Sequence, residues 1–316
     1  SNEEDIFTVG CAGGPGVRTE IPIVREEAAP GWTALHIKIS GLIGGHSGED
    51  IHLGRANSIK LMARVLLAID RETDFRLSDL RGGLKYNAIP REANAVIVIP
   101  ESSLEKVKSA ITDMEGELKN EYRVNDPEIT VTFEASDPIA EIKPMSKLST
   151  QAVVNYIYFA ETGVIRMDME FKDTVESSVS LGVVRMEEEK AILQTLTRSS
   201  LKSMYMEMYY KTLRLAEQVG GRTELMSNCP EWEYNPDSHI KTIFQDTYKR
   251  MHGKDPGFVI THAGLECGVI KRNSVSPIDM IAAGPIARNL HTPGEYVSIS
   301  STARFWDFLR EVMKSI

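Results

Sequence analysis

The chain has 316 residues, 42% of them hydrophobic and 26% charged, which excludes disordered and fibrous classes and leaves room for about two domains. A net charge of −9 with dispersed lysines and arginines argues against nucleic-acid binding, which needs a basic footprint. Three cysteines, Cys11, Cys229 and Cys267, form no CxxC pair, and this points to a reducing compartment without a zinc ribbon.

The segment Thr8–Gly14 reads as a short strand running into glycines, followed by a proline-containing linker. Trp32–Ser40 alternates, with Leu35, Ile37 and Ile39 on one face and His36 and Lys38 on the other, and predicts a strand. After a glycine-rich turn, Ile59, Met62, Leu66 and Ile69 recur at helical spacing. Ala93–Ile99 is a β-branched run. Ser102 with Glu105 reads as a capping box for a helix striped by Leu104, Val107, Ile111, Met114 and Leu118. Ile129–Glu134 predicts another strand. The same order then recurs: strands at Val175–Arg185 and Ala191–Thr197, a helix with Leu201, Met204, Met208, Leu215 and Val219, and a strand at Thr223–Met226. Two strand–helix–strand–strand–helix–strand units imply a duplicated α+β sandwich, with repeats at about 18–135 and 136–226. From 227 to 316 strands alternate with helices, which implies an α/β layer. There Asp237 is expected to cap a helix, and Met280–Ala283 to be a buried strand.

Functional loops of such a layer lie beyond the C-terminal ends of its strands, where HAGLECG (His262–Gly268) and the stretch Gly284–Glu295 fall. Taken bare, His291 is more often a packed or solvated side chain than a metal ligand, although imidazole is the commonest ligand. His46 is flanked by glycines that allow close approach of backbone and ring to a bound molecule. Asn87 follows Gly82–Gly83, and Arg198 ends a strand-like run, so both could project from sheet ends; a capping amide and a surface arginine are the plain alternatives. Glu266 sits in a glycine-bounded bend, where a substrate contact and local capping are both open. His52 and His262 read as structural.

GGHSGEDIH (Gly44–His52), NAIPREA (Asn87–Ala93), VGCAGG (Val9–Gly14), HAGLECG, Gly284–Pro285, His291–Pro293 and Glu295 occur together in family order. In these motifs the chain resembles bacterial aminoacyl-histidine dipeptidases, the carnosinase-type Xaa-His dipeptidases of the two-zinc metallopeptidase clan. The resemblance implies a zinc-peptidase α/β domain, represented by a strand within 1–17 and by 227–316, and a lid and dimerisation domain over 18–226. It implies zinc-dependent dipeptide hydrolysis in the cytoplasm by a homodimer joined through the lid. His291 would be a zinc ligand. His46 would steady the oxyanion in the partner's site. Asn87 and Arg198 would hold the substrate carboxylate, and Glu266 would contact the substrate. The remaining ligands and the glutamate base would lie in an N-terminal part of the catalytic domain ahead of this sequence. The 316-residue chain alone is therefore expected to be inactive, an expectation that zinc-dependent turnover by it would overturn. A tripeptidase or aminoacylase is the alternative within the clan, and a non-catalytic dimerisation or peptide-binding module the alternative outside it.

Overall fold

The computed structural model describes residues 3–135, 142–289 and 293–316. In chain order the first elements are β1 (Ile6–Cys11), β2 (Gly14–Pro22), β3 (Trp32–Ser40), β4 (Gly45–His46), α1 (Ser58–Glu72), β5 (Arg76–Gly82), β6 (Ala88–Ile89), β7 (Ala93–Pro100), α2 (Leu104–Glu121) and β8 (Thr130–Ala135). There follow α3 (Lys147–Phe159), β9 (Gly163–Met167), β10 (Val175–Met186), β11 (Lys190–Ser199), α4 (Lys202–Gln218) and β12 (Arg222–Cys229). The last are α5 (His239–His252), β13 (Gly257–Thr261), α6 (Glu266–Asn273) and α7 (Ile299–Met313).

One sheet runs in the order β12-β2-β11-β10-β5-β7-β3-β8, with β9 paired to β10. It contains two like halves. The first is β3-α1-β5-β7-α2-β8; the second is β2-α3-β10-β11-α4-β12. They meet at the Val184–Gly82 pairing, which joins β10 to β5 and makes a continuous sheet from two repeats. The repeat boundaries differ from the sequence expectation. Strand β2 opens the second repeat, so the first repeat is inserted between β2 and α3, and a boundary at residues 17 and 18 falls inside β2. Gly14, Pro15, Gly16 and Pro22 hide that strand, because glycine and proline read as turn or linker residues.

The helices pack on the core of this sheet through the predicted stripes, with Ile59, Met62, Leu66 and Ile69 of α1 fully buried among Leu35, Ile37, Leu77, Val107 and Ile111. Asn57 caps α1, its side chain accepting from the amides of Ile59 and Lys60. Lys60 closes the end of α3 by donating to the carbonyls of Ile157, Tyr158 and Ala160, each at 2.6 Å. Two predicted caps are displaced by one residue. Glu101–Ser103 form a 3₁₀ turn ahead of α2, whose cap residue Ser103 makes no side-chain cap bond; Ser238, not Asp237, caps α5 by accepting from the Lys241 amide at 3.1 Å.

Glu20 in β2 is buried under three cations, with Arg18 at 2.7 Å, Lys190 at 2.9 Å and Arg222 at 2.9 Å. Lys190 first and Arg222 next pull its pKa down from 4.5 to about 2. The lowered value makes this stability present above the ordinary carboxylate pKa and lost as pH falls through the folded one. In thermal melts, Glu20→Gln is expected to fall below the wild type at neutral pH. The gap should narrow once the pH drops below 4.5 and close near 2.

The C-terminal segment builds a smaller layer. β1 pairs in parallel with β13, and Phe7 stacks on Phe308 of α7 and meets Phe244 and Tyr248 of α5 edge to face. Met280–Ala283 is half-exposed and not a strand; it meets β1 only at the antiparallel Thr8–Ala282 bridge. Pro277 and Pro285 bracket it and cannot donate to a ladder. No helix among the described residues is long and apolar enough to cross a membrane.

Candidate functional site

The loop between β3 and α1 is held at both ends by one buried carboxylate. Asp126 accepts from the amides of Ile43 at 2.7 Å and Ala56 at 2.6 Å. Within the loop, Gly44 and Gly45 take φ of +66° and +146°, a region that side chains disfavour. That turn delivers β4 onto β6, pairing His46 with Ala88, and the Ser47 amide donates to the Asn87 carbonyl at 3.0 Å. Asp50 accepts from the His46 amide at 2.8 Å, and the Arg55 guanidinium donates to Gly44 O. The His46 ring is oriented by its own loop: Nδ1 faces the amides of Gly48 at 3.3 Å and Glu49 at 3.0 Å and accepts from both. In the neutral ring the proton is therefore on Nε2.

Gly48 is where the two repeats and the C-terminal segment converge. A methyl group placed on it would lie 2.4 Å from the His262 carbonyl oxygen, 3.1 Å from Arg198 Nε and 3.2 Å from His46 Cε1. Position 48 thus has no room for a side chain, and His46 lies beside Arg198 and His262 of its own chain. Arg198 lies in β11 opposite Ser178 of β10. Its Nε is buried without a hydrogen-bond partner, and among the described residues no carboxylate forms an ion pair with the guanidinium. Burial lowers its pKa, opposed by Cys229, Tyr86 and Glu49 nearby. Such a half-buried, unpaired cation is costly in an empty protein and is suited to receive an anionic group.

His262, read as structural in the sequence, belongs to this cluster. Its Nε2 is 2.7 Å from Ser178 Oγ, and its Nδ1 is buried beside the Val175 backbone without a hydrogen bond of good geometry. Burial, and then Arg198, push its pKa down to about 3, so the ring is neutral. A hint lay in Glu176–Ser180, a polar run in a strand otherwise apolar enough to be buried, since buried hydroxyls require partners.

The other predicted site residues are placed less tightly. Asn87 is half-buried and joins the site through its backbone. Glu266 is the exposed first residue of α6, where it raises the pKa of the Cys267 thiol, after burial the next largest cause; it pairs with neither His46 nor Arg198. His291 lies outside the described residues. Among the described residues no three His, Cys, Asp or Glu side chains come together to hold a metal ion, so these residues by themselves do not fit a metal centre.

Residues 37–126 match the model of the peptidase dimerisation domain. Over 318 aligned positions the chain is 33% identical to the cytosol non-specific dipeptidase of Escherichia coli (strain K12), covering 100% of this chain and 64% of that protein. The crystal structure of aminoacylhistidine dipeptidase from Vibrio alginolyticus superposes with a TM-score of 0.94 at 32% identity, again over 100% of this chain and 64% of that one. The chain is homologous to these dipeptidases. It shares their mixed α/β fold, and the matched dimerisation-domain region holds His46 and Asn87. Arg198 and Glu266 fall outside that region but inside the span aligned to both dipeptidases.

Proposed function

We propose that this chain serves the hydrolysis of dipeptides, Xaa-His dipeptides among them, in a cytoplasmic metallopeptidase. The observation that carries the reading is the guanidinium of Arg198, which has no ion pair among the described residues, set next to the imidazole of His46. A dipeptide has its C-terminal carboxylate one residue from the scissile carbonyl. A cation for the carboxylate and a ring N–H for the carbonyl oxygen must therefore lie side by side, and this pair does. Arg198 takes the carboxylate through charge-assisted hydrogen bonds. His46, with its proton on Nε2, donates to the oxygen on which negative charge develops. Asn87 and Glu266 are further substrate contacts in this reading, from the β5–β7 loop and the start of α6.

Metal ions, zinc in the first place, would activate water when bound, and His291 would be the ligand this chain contributes. The described residues offer no metal centre of their own. The match to a peptidase dimerisation domain supports a homodimer formed through the double-repeat unit. A panel of dipeptides and their C-terminal amides against the zinc-loaded metallopeptidase of which this chain is proposed to be part tests the reading. Hydrolysis of Xaa-His dipeptides and poor hydrolysis of the amides is expected. Stoichiometric zinc with no turnover of any dipeptide would overturn it.

A further inference from the structure

We propose that His262 is a positioning residue: its imidazole, held by Ser178 and set under the His46 loop, is the wall that keeps the Arg198 guanidinium open to a substrate carboxylate. The identity of that carboxylate rests on the dipeptide reading; the positioning does not.

Three contacts define the wall. The ring is joined to Ser178 Oγ at 2.7 Å, across 84 residues of sequence. Ser178 is the cross-strand partner of Arg198, so ring and guanidinium share one face of the sheet. The His262 backbone carbonyl seats against Gly48, at the spot that Arg198 Nε and His46 Cε1 also border. One residue of the C-terminal segment therefore touches the strand pair that carries Arg198 and the loop that carries His46.

A wall is needed because nothing else among the described residues fixes the guanidinium. Its Nε has no hydrogen-bond partner and it has no ion pair among the described residues. Glu49, on the same loop as Gly48, is a carboxylate whose charge acts on it. Without the imidazole, Arg198 is free to fold onto Glu49 and neutralise itself. The ring must also be uncharged, since a second cation there would repel Arg198. Hydrogen-bond direction follows: with Nδ1 carrying the proton toward the Val175 backbone, Nε2 accepts from the Ser178 hydroxyl.

The test reads Arg198 directly. In ¹⁵N NMR of the 316-residue chain, the Arg198 Nε–H signal is expected to be resolved and slow to exchange. His262→Ala should collapse it into the exposed arginine envelope; Ser178→Ala, which retains the imidazole but removes the bond that holds it, should show a smaller change in the same direction and serves as the test should His262→Ala fail to fold. Titration with β-alanyl-histidine supplies the second readout. Affinity should fall about 10- to 100-fold in His262→Ala, the range of a small misplacement of a binding group. Adding Glu49→Gln to His262→Ala should recover most of the loss, which a purely structural defect would not permit. An Arg198 Nε–H signal unchanged in His262→Ala overturns the proposal. If Arg198→Ala binds the dipeptide as well as wild type, the carboxylate reading fails instead, and the NMR signal still decides the role of His262.

Discussion

Replacing Arg198 by alanine is expected to raise the KM for a dipeptide about 30- to 150-fold, the loss of about 2–3 kcal/mol of charge-assisted hydrogen bonding. Steady-state kinetics with the zinc-loaded enzyme, on a dipeptide and on its C-terminal amide, measure it. Wild type should discriminate strongly between the two; the variant should treat them nearly alike, because the discrimination resides in the guanidinium. The same substitution should leave the ligand-free protein as stable as before or more so. Nε is buried without a partner, so removing it removes a desolvation penalty and breaks no ion pair among the described residues. A structural arginine would behave in the opposite way, with a lower Tm and unchanged preference for the free carboxylate. The paired readouts therefore separate the two roles.

His46→Ala should act on the other kinetic constant. A preset N–H donor aimed at a developing oxyanion is worth about 10²–10³ in kcat, and the ground-state carbonyl uses little of it. We therefore expect kcat to fall by that factor while KM moves by less than the Arg198 variant moves it. The loop should keep its shape, because Asp126 holds its ends and Asp50 holds the amide of residue 46, neither through the imidazole. A loss confined to KM would remove His46 from the transition state. An alternative donor with fixed geometry, His46→Gln, should restore part of the rate.

Much of the fold was legible because its helices are amphipathic and its first repeat alternates. Strand β3 places Leu35, Ile37 and Ile39 inward and its polar residues outward, as its pattern predicts. Strand β2 was not legible, since glycines and prolines in a strand carry no periodic signal. Strand β10 also lacks alternation: residues 175–184 are buried throughout, with α4 packing near Val179 and the loop after β13 reaching Ser178. The site shows the same division. Gly44, Gly45 and Gly48 announce a loop built for close approach, and His46 stands in it. The placing of Arg198 beside His262 leaves no trace in spacing, because the two lie on separate segments that only the folded chain brings together. Ser178 looks like one more small residue in a strand until its partner is known.

The insertion of the first repeat between β2 and α3 sets an order of assembly. Strand β2 must find β11 across more than a hundred and sixty residues, with Ala191 pairing Ile21. Closing so long a loop in a disordered chain is entropically slow. The insert shortens it: Leu35 and Ala135, near its two ends, are paired in adjacent strands, so once folded it spans a gap of one strand spacing, about 4.8 Å. By the logarithmic dependence on loop length this lowers the closure cost by about 1 kcal/mol. The inserted repeat thus works as a clasp for the one that surrounds it, and a lesion in the α1 core should delay the docking of β2 and, with it, the framing of Arg198.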